Sequence, residues 1–103
     1  MTPAQQLTHA IKDYLTLKGW LVWKNSAGAR KIEGGRFVKW GQVGLPDIMA
    51  IRKSVILACK VKAGKDRLSP EQQAWLDALA AHGAISVVAR NVDDVMKAIG
   101  DIP

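Results

Sequence analysis

GLPDIMAIRKSVILACKVKAGK, running from Gly44 to Lys65, decides the fold. It reads as two short apolar strands, 47–51 and 55–61, joined by a tight turn at 52–54. Asp47 enters the first strand and Lys60-Val61-Lys62 leaves the second, so an acid and two lysines stand at strand ends that face one another. Side chains alternate across a strand. Ile56, Ala58, Lys60 and Lys62 therefore share one face, and Val55, Leu57, Cys59 and Val61 the other. Cys59 reads as a small core residue rather than a reactive thiol. Lys60 and Lys62 emerge from an apolar face at a strand's end, where a side chain reaches the rim of a cleft.

Outward from that hairpin, the chain punctuates itself clearly. On the C-terminal side, Ser69 caps a helix with Pro70 at its first position and Gln72 as capping-box partner, and Gly83 ends it. Leu76 and Leu79 follow Gln72 at helical spacing, so the face that buries leucines also carries Gln72 towards the sheet. A strand at 84–89 and a helix capped by Asn91 follow, with Val92, Val95, Met96 and Ile99 as its buried stripe. On the N-terminal side, Thr2, Pro3 and Gln5 open a helix whose apolar stripe is Leu7, Ala10, Ile11, Tyr14 and Leu15, with Gly19 as its stop. Strands are expected at 20–23 and 36–40, with a loop or hairpin across 24–35. The sum is an α/β or α+β sandwich around a mixed sheet, without repeats or an internal linker.

Composition narrows the function. The 103 residues suffice for one domain with one core. Hydrophobic residues make up 49% and are spread along the whole length, which excludes disorder. No apolar run approaches the roughly 20 residues of a membrane span, and no signal-peptide pattern begins at Met1. A single cysteine excludes an internal disulfide and suits a reducing compartment, so a cytoplasmic location is expected. Fifteen Lys and Arg against nine Asp and Glu leave a net charge of +6, which points to a polyanionic partner. His9 and His82 match no zinc spacing with Cys59, and Gly28, Gly34 and Gly35 form no P-loop. Trp20, Trp23, Trp40 and Trp75 read as core or dimer-interface residues rather than base-stacking platforms.

An acid entering one strand and an acidic-x-Lys leaving the next is a recurring arrangement for phosphodiester hydrolysis. Two carboxylates and a backbone carbonyl hold a divalent cation, which polarises the phosphate and lowers the pKa of a bound water. The lysine positions or activates that water and offsets developing charge. Asp47 and Lys62 fit this scheme, but the second carboxylate is missing.

Three segments in order carry a family resemblance: Gly44-Leu45-Pro46-Asp47, then Lys60-Val61-Lys62-Ala63-Gly64-Lys65, then Arg67-Leu68-Ser69-Pro70-Glu71-Gln72. Together with Trp23-Lys24-Asn25 and Val87-Val88-Ala89-Arg90, they resemble the VRR-NUC family, the virus-type replication-repair nucleases of the PD-(D/E)XK superfamily. The resemblance implies an α/β, restriction-endonuclease-like αβββαβ(α) core with a central mixed sheet flanked by helices. It implies Mg²⁺- or Mn²⁺-dependent, structure-specific cleavage of DNA in the manner of Holliday-junction resolvases, by homodimers of bacterial or phage origin. Carried onto this chain, Asp47 and the Val61 carbonyl are metal ligands, Lys62 is the catalytic lysine and Gln72 the glutamine of the following helix. The family's glutamate falls on Lys60, and no acidic residue stands at Ala4, Gln5 or Gln6, where the first helix often carries one.

Lys60 changes the electrostatics of such a site. Two carboxylates about 4 Å apart repel by on the order of 4 kcal/mol at an effective dielectric near 20, which a cation normally reverses. An ammonium in place of one of them attracts instead, so Lys60 is expected to pair with Asp47, to weaken metal binding and to impair cleavage. DNA binding does not need the metal. Lys24, Asn25, Arg30, Lys31, Arg36, Lys39, Lys65 and Arg67 flank the expected cleft on both sides and suit contacts to the phosphate backbone. The competing expectation is a non-catalytic, DNA-binding homodimer for branched DNA.

Overall fold

The computed structural model describes residues 1–25, 28–40 and 42–100, with 28–31 and 37–40 described as backbone alone. Helix α1 spans Pro3–Leu17, followed by strands β1 (Leu21–Lys24), β2 (Gly28–Lys31), β3 (Phe37–Trp40), β4 (Ile48–Arg52) and β5 (Val55–Val61). Helix α2 (Pro70–Ala81), strand β6 (Ile85–Ala89) and helix α3 (Val92–Ile99) complete the chain. A four-stranded mixed sheet has the order β1-β4-β5-β6, and β2 and β3 form a separate antiparallel hairpin. With that hairpin set aside as an insertion, the order is the expected αβββαβ(α).

The central hairpin forms as its alternation requires. β4 and β5 are antiparallel, with Ile48 opposite Cys59 and Arg52 opposite Val55, and a two-residue turn between them places Lys53 at φ 57°. β1 joins β4 antiparallel, and β6 joins β5 in parallel through the α2 crossover. Ile48, Ala50, Leu57, Cys59 and Val61 present one face of the sheet to Ile11 and Leu15 of α1 and to Val95 and Ile99 of α3. The opposite face holds buried Ala58, and α2 packs there, with Leu76 buried and its carbonyl accepting from the Ser86 hydroxyl at 2.7 Å.

All three helices begin at the caps that the sequence marks. Thr2 and Gln5, and Ser69 and Gln72, close reciprocal capping boxes, and Asn91 Oδ1 accepts from the Asp94 amide at 2.8 Å. Two stripe residues differ from expectation. Ala10 is exposed, and Thr8 is buried instead, its hydroxyl donating to the Ala4 carbonyl at 2.9 Å. Met96 is also exposed, because it lies about 100° around the helix from buried Val95. Trp20 precedes β1 rather than opening it, and is buried. Among the described residues no helix is long and apolar enough to cross a membrane.

Candidate nucleic-acid and catalytic site

Asp47 stands one residue before β4, on the face shared by Met49. Met49 is the cross-strand partner of Ala58, so that face is also the one carrying Lys60. The carboxylate is held from two sides. Its Oδ2 accepts the Val61 amide N–H at 2.6 Å, a short, charge-assisted bond, and its Oδ1 lies 3.4 Å from Lys60 Nζ. The Lys60 side chain is only 13% exposed and that of Asp47 30%, so the ion pair lies at the bottom of a depression rather than on a solvated rim. The acid and the first lysine therefore converge, as the alternation requires, and they pair as their charges require.

The segment that delivers Asp47 is pinned on every side. The Asn25 amide N–H donates to the Asp47 carbonyl at 2.9 Å, and Asn25 Nδ2 donates to the Pro46 carbonyl at 3.0 Å. Lys60 Nζ also donates to the Leu45 carbonyl at 3.4 Å, and Trp75 Nε1 of α2 donates to the Val43 carbonyl at 3.1 Å. Gly44 has φ 86°, and a Cβ there would stand 2.7 Å from the Glu71 carbonyl carbon and 2.9 Å from the Gln72 nitrogen. Only glycine lets this loop lie directly on the first turn of α2. A cleft of about 270 Å³ results, lined by Lys24, Asn25, Gln42, residues 44–46, Asp47 and Lys60.

The other expected site residues are distributed differently. Lys62 leaves β5 half-buried, its amide bonded to the Ala89 carbonyl at 3.0 Å, and it does not line this cleft. Gln72 does not line it either: its Oε1 accepts from the Ser69 amide at 2.9 Å, which turns the side chain back onto its own helix. Val61 contributes its N–H to Asp47, and strand geometry turns its carbonyl to the same side. Asn25 acts through the loop it clamps. Lys65, Arg67 and Arg36 are exposed, the first two on a segment that Arg90 Nη1 tethers through the Gly64 carbonyl at 2.9 Å. The side chains of Arg30, Lys31 and Lys39 lie outside the described residues. Gln42 and the packing of the loop onto Trp75 carry no signal in the sequence. The Gly-Leu-Pro that precedes Asp47 does.

Cys59 lies beneath the site, fully buried opposite Ile48. Burial above all, and then the Asp47 and Asp94 carboxylates, push its thiol up to about 12. It is a packing residue.

As a place for a divalent cation, the donor set does not fit. Among the described residues no three His, Cys, Asp or Glu side chains converge. The one carboxylate of the cleft has an oxygen on a backbone N–H and the other facing an ammonium.

The fold and the Gly-Leu-Pro-Asp loop point one way, and the family model for the VRR-NUC domain matches residues 23–93. The chain belongs to the VRR-NUC family. A solved structure described as a VRR_NUC domain aligns with a TM-score of 0.73 at 23% identity, covering 100% of both chains. Hjc, a Holliday junction resolvase from the archaeal hyperthermophile Archaeoglobus fulgidus, aligns with a TM-score of 0.59 at 22% identity, covering 84% of this chain and 67% of its own. These likenesses show a shared fold. No curated protein sequence matches the chain. Within this VRR-NUC domain, the carboxylate of the Gly-Leu-Pro-Asp loop is paired with a lysine of the neighbouring strand.

Proposed function

We propose that this VRR-NUC domain is a DNA-binding domain of the resolvase type, directed to branched DNA, whose metal-dependent phosphodiester hydrolysis is suppressed by Lys60. The observation that carries the proposal is the 3.4 Å contact between Lys60 Nζ and Asp47 Oδ1 in a largely buried setting. In the family's hydrolytic scheme, a Mg²⁺ or Mn²⁺ ion supplies the Lewis acid and the activated water. Here the groups that would hold it, Asp47 and the Val61 carbonyl, adjoin an ammonium that repels a cation. The residues that remain perform binding and shaping. Asn25, Gly44 and Trp75 fix the loop, Lys60 compensates Asp47, and Lys24 adds positive charge at the rim. Lys62 stands in sequence where the resemblance puts the catalytic lysine, and a carboxylate at position 60 supplies the second acid that the scheme lacks.

The molecule acts as a homodimer in this reading, because a four-way junction is two-fold symmetric and a symmetric pair of clefts matches it. The apolar surface formed by exposed Val43 of the preceding loop with Ala74, half-buried Trp75 and Ala78 of α2 suits the contact.

Cleavage of a labelled four-way junction in Mg²⁺ or Mn²⁺, by this chain and by Lys60→Glu, tests the reading. Lys60→Glu is expected to cut at least tenfold faster, the change that on the order of 1.4 kcal/mol of recovered transition-state stabilisation produces. If the unaltered chain cuts as fast as Lys60→Glu, the reading of the site is wrong.

A further inference from the structure

We infer that the cleft over Lys60 has become a phosphate site that works without metal, and that it continues through Lys24 into a second basic subsite on α1. The inference rests on the DNA-binding reading above and adds where the backbone lies and what holds it. Two lysines, Lys24 and Lys60, and one carboxylate, Asp47, line the cleft, so the formal charge of its lining is positive. Lys60 has three N–H donors. Two are directed at the Leu45 carbonyl and Asp47 Oδ1, both at a long 3.4 Å, which leaves one donor for a ligand oxygen in the cleft. With the Lys60 side chain only 13% exposed, that donor is poorly hydrated, and a phosphate oxygen replaces little water to reach it. Asp47 opposes an anion weakly, because Val61 N–H and Lys60 already engage its two oxygens.

Lys24 also lines a separate cleft of about 130 Å³, shared with Gln5, Thr8, His9 and Lys12 of α1. The two clefts therefore adjoin at one lysine. A strand with one phosphate on Lys60 passes over Lys24 and places a following phosphate by Lys12. The basic residues expected from the sequence flank the cleft on both sides and include Lys24; Lys12 and the α1 side are added to that track by the second cleft.

Binding of a fluorescent four-way junction in EDTA, titrated across salt, tests this. Each phosphate contact removed lowers the slope of log affinity against log salt by about 1. Lys24→Gln and Lys60→Gln are each expected to lower it by about that much, with a several-fold loss of affinity, and added Mg²⁺ is not expected to tighten binding by the unaltered chain. Lys53→Gln, at the β4–β5 turn on the opposite end of the hairpin, removes the same charge and is expected to leave the slope unchanged. Lys24 is exposed, so its substitution tests the track even if Lys60→Gln is unstable. If binding persists while neither substitution moves the slope, or if all three reduce it equally, the pocket is not a phosphate site but the DNA-binding reading stands. Absence of any binding in EDTA at low salt overturns both.

Discussion

At the scale of single residues, the proposed function turns on position 60, whose pairing with Asp47 was legible in the sequence. An acid and a lysine with alternation that puts them on one face can be read from spacing alone, and their pairing follows from charge. Asn25 could not be read the same way. Its partners are the backbone oxygens of Pro46 and Asp47, which any residue would supply, so nothing in the sequence marks them. Gln72 carried two compatible signals, a capping box and a face towards the sheet, and the short-range one wins because its partner Ser69 is three residues away. Cys59 yields a prediction with a definite sign. Its thiol ionises near 9.0 when unfolded and near 12 when folded, so the unfolded state loses its proton first as pH rises. Burial of the thiol therefore costs nothing below about pH 9 and destabilises the fold above it, by up to about 1.4 kcal/mol per pH unit across that window. Denaturation midpoints from pH 8 to 11 are expected to fall more steeply for the unaltered chain than for Cys59→Ala, and the native thiol is expected to resist disulfide reagents at pH 8. Parallel profiles would contradict the burial account.

At the scale of elements, helix starts and the central hairpin were legible because their signals are local: Ser69-Pro70, Thr2-Pro3 and two alternating apolar runs. What held the loop before Asp47 onto α2 was not, since the contact joins residues about thirty positions apart through a backbone carbonyl and an indole, Val43 and Trp75. Gly44 is the visible trace of that contact. A methyl group there meets the backbone of Glu71 and Gln72 at under 3 Å and forces a positive φ on a residue with a side chain. Gly44→Ala is expected to destabilise the domain by about 2 kcal/mol or more, because the obstacle is helix backbone and not a movable side chain. Chemical denaturation measures this. A loss under about 0.5 kcal/mol would mean that the loop is free to lift from α2, and that Asp47 is less firmly placed than its hydrogen bonds suggest.

For the whole molecule, a net charge of +6 accompanies a VRR-NUC fold, and the cleft holds an Asp47–Lys60 ion pair, the two features on which the proposed metal-free DNA binding rests. Fold class was readable from the order of elements and from the loop and capping motifs. The arrangement of the basic residues was not, because they occur on several surfaces and only the folded chain shows that Lys24 lines two adjoining clefts. The central claim, that Lys60 takes the part a metal ion plays elsewhere, is tested most directly by ligand-induced stabilisation. A ligand at 100 times its dissociation constant stabilises the state that binds it by about 2.7 kcal/mol, several degrees in Tm for a domain of this size. Millimolar Mn²⁺ is expected to raise the Tm of Lys60→Glu by about that much and to leave the unaltered chain within about one degree of its metal-free value. Equal shifts in the two proteins would contradict the account.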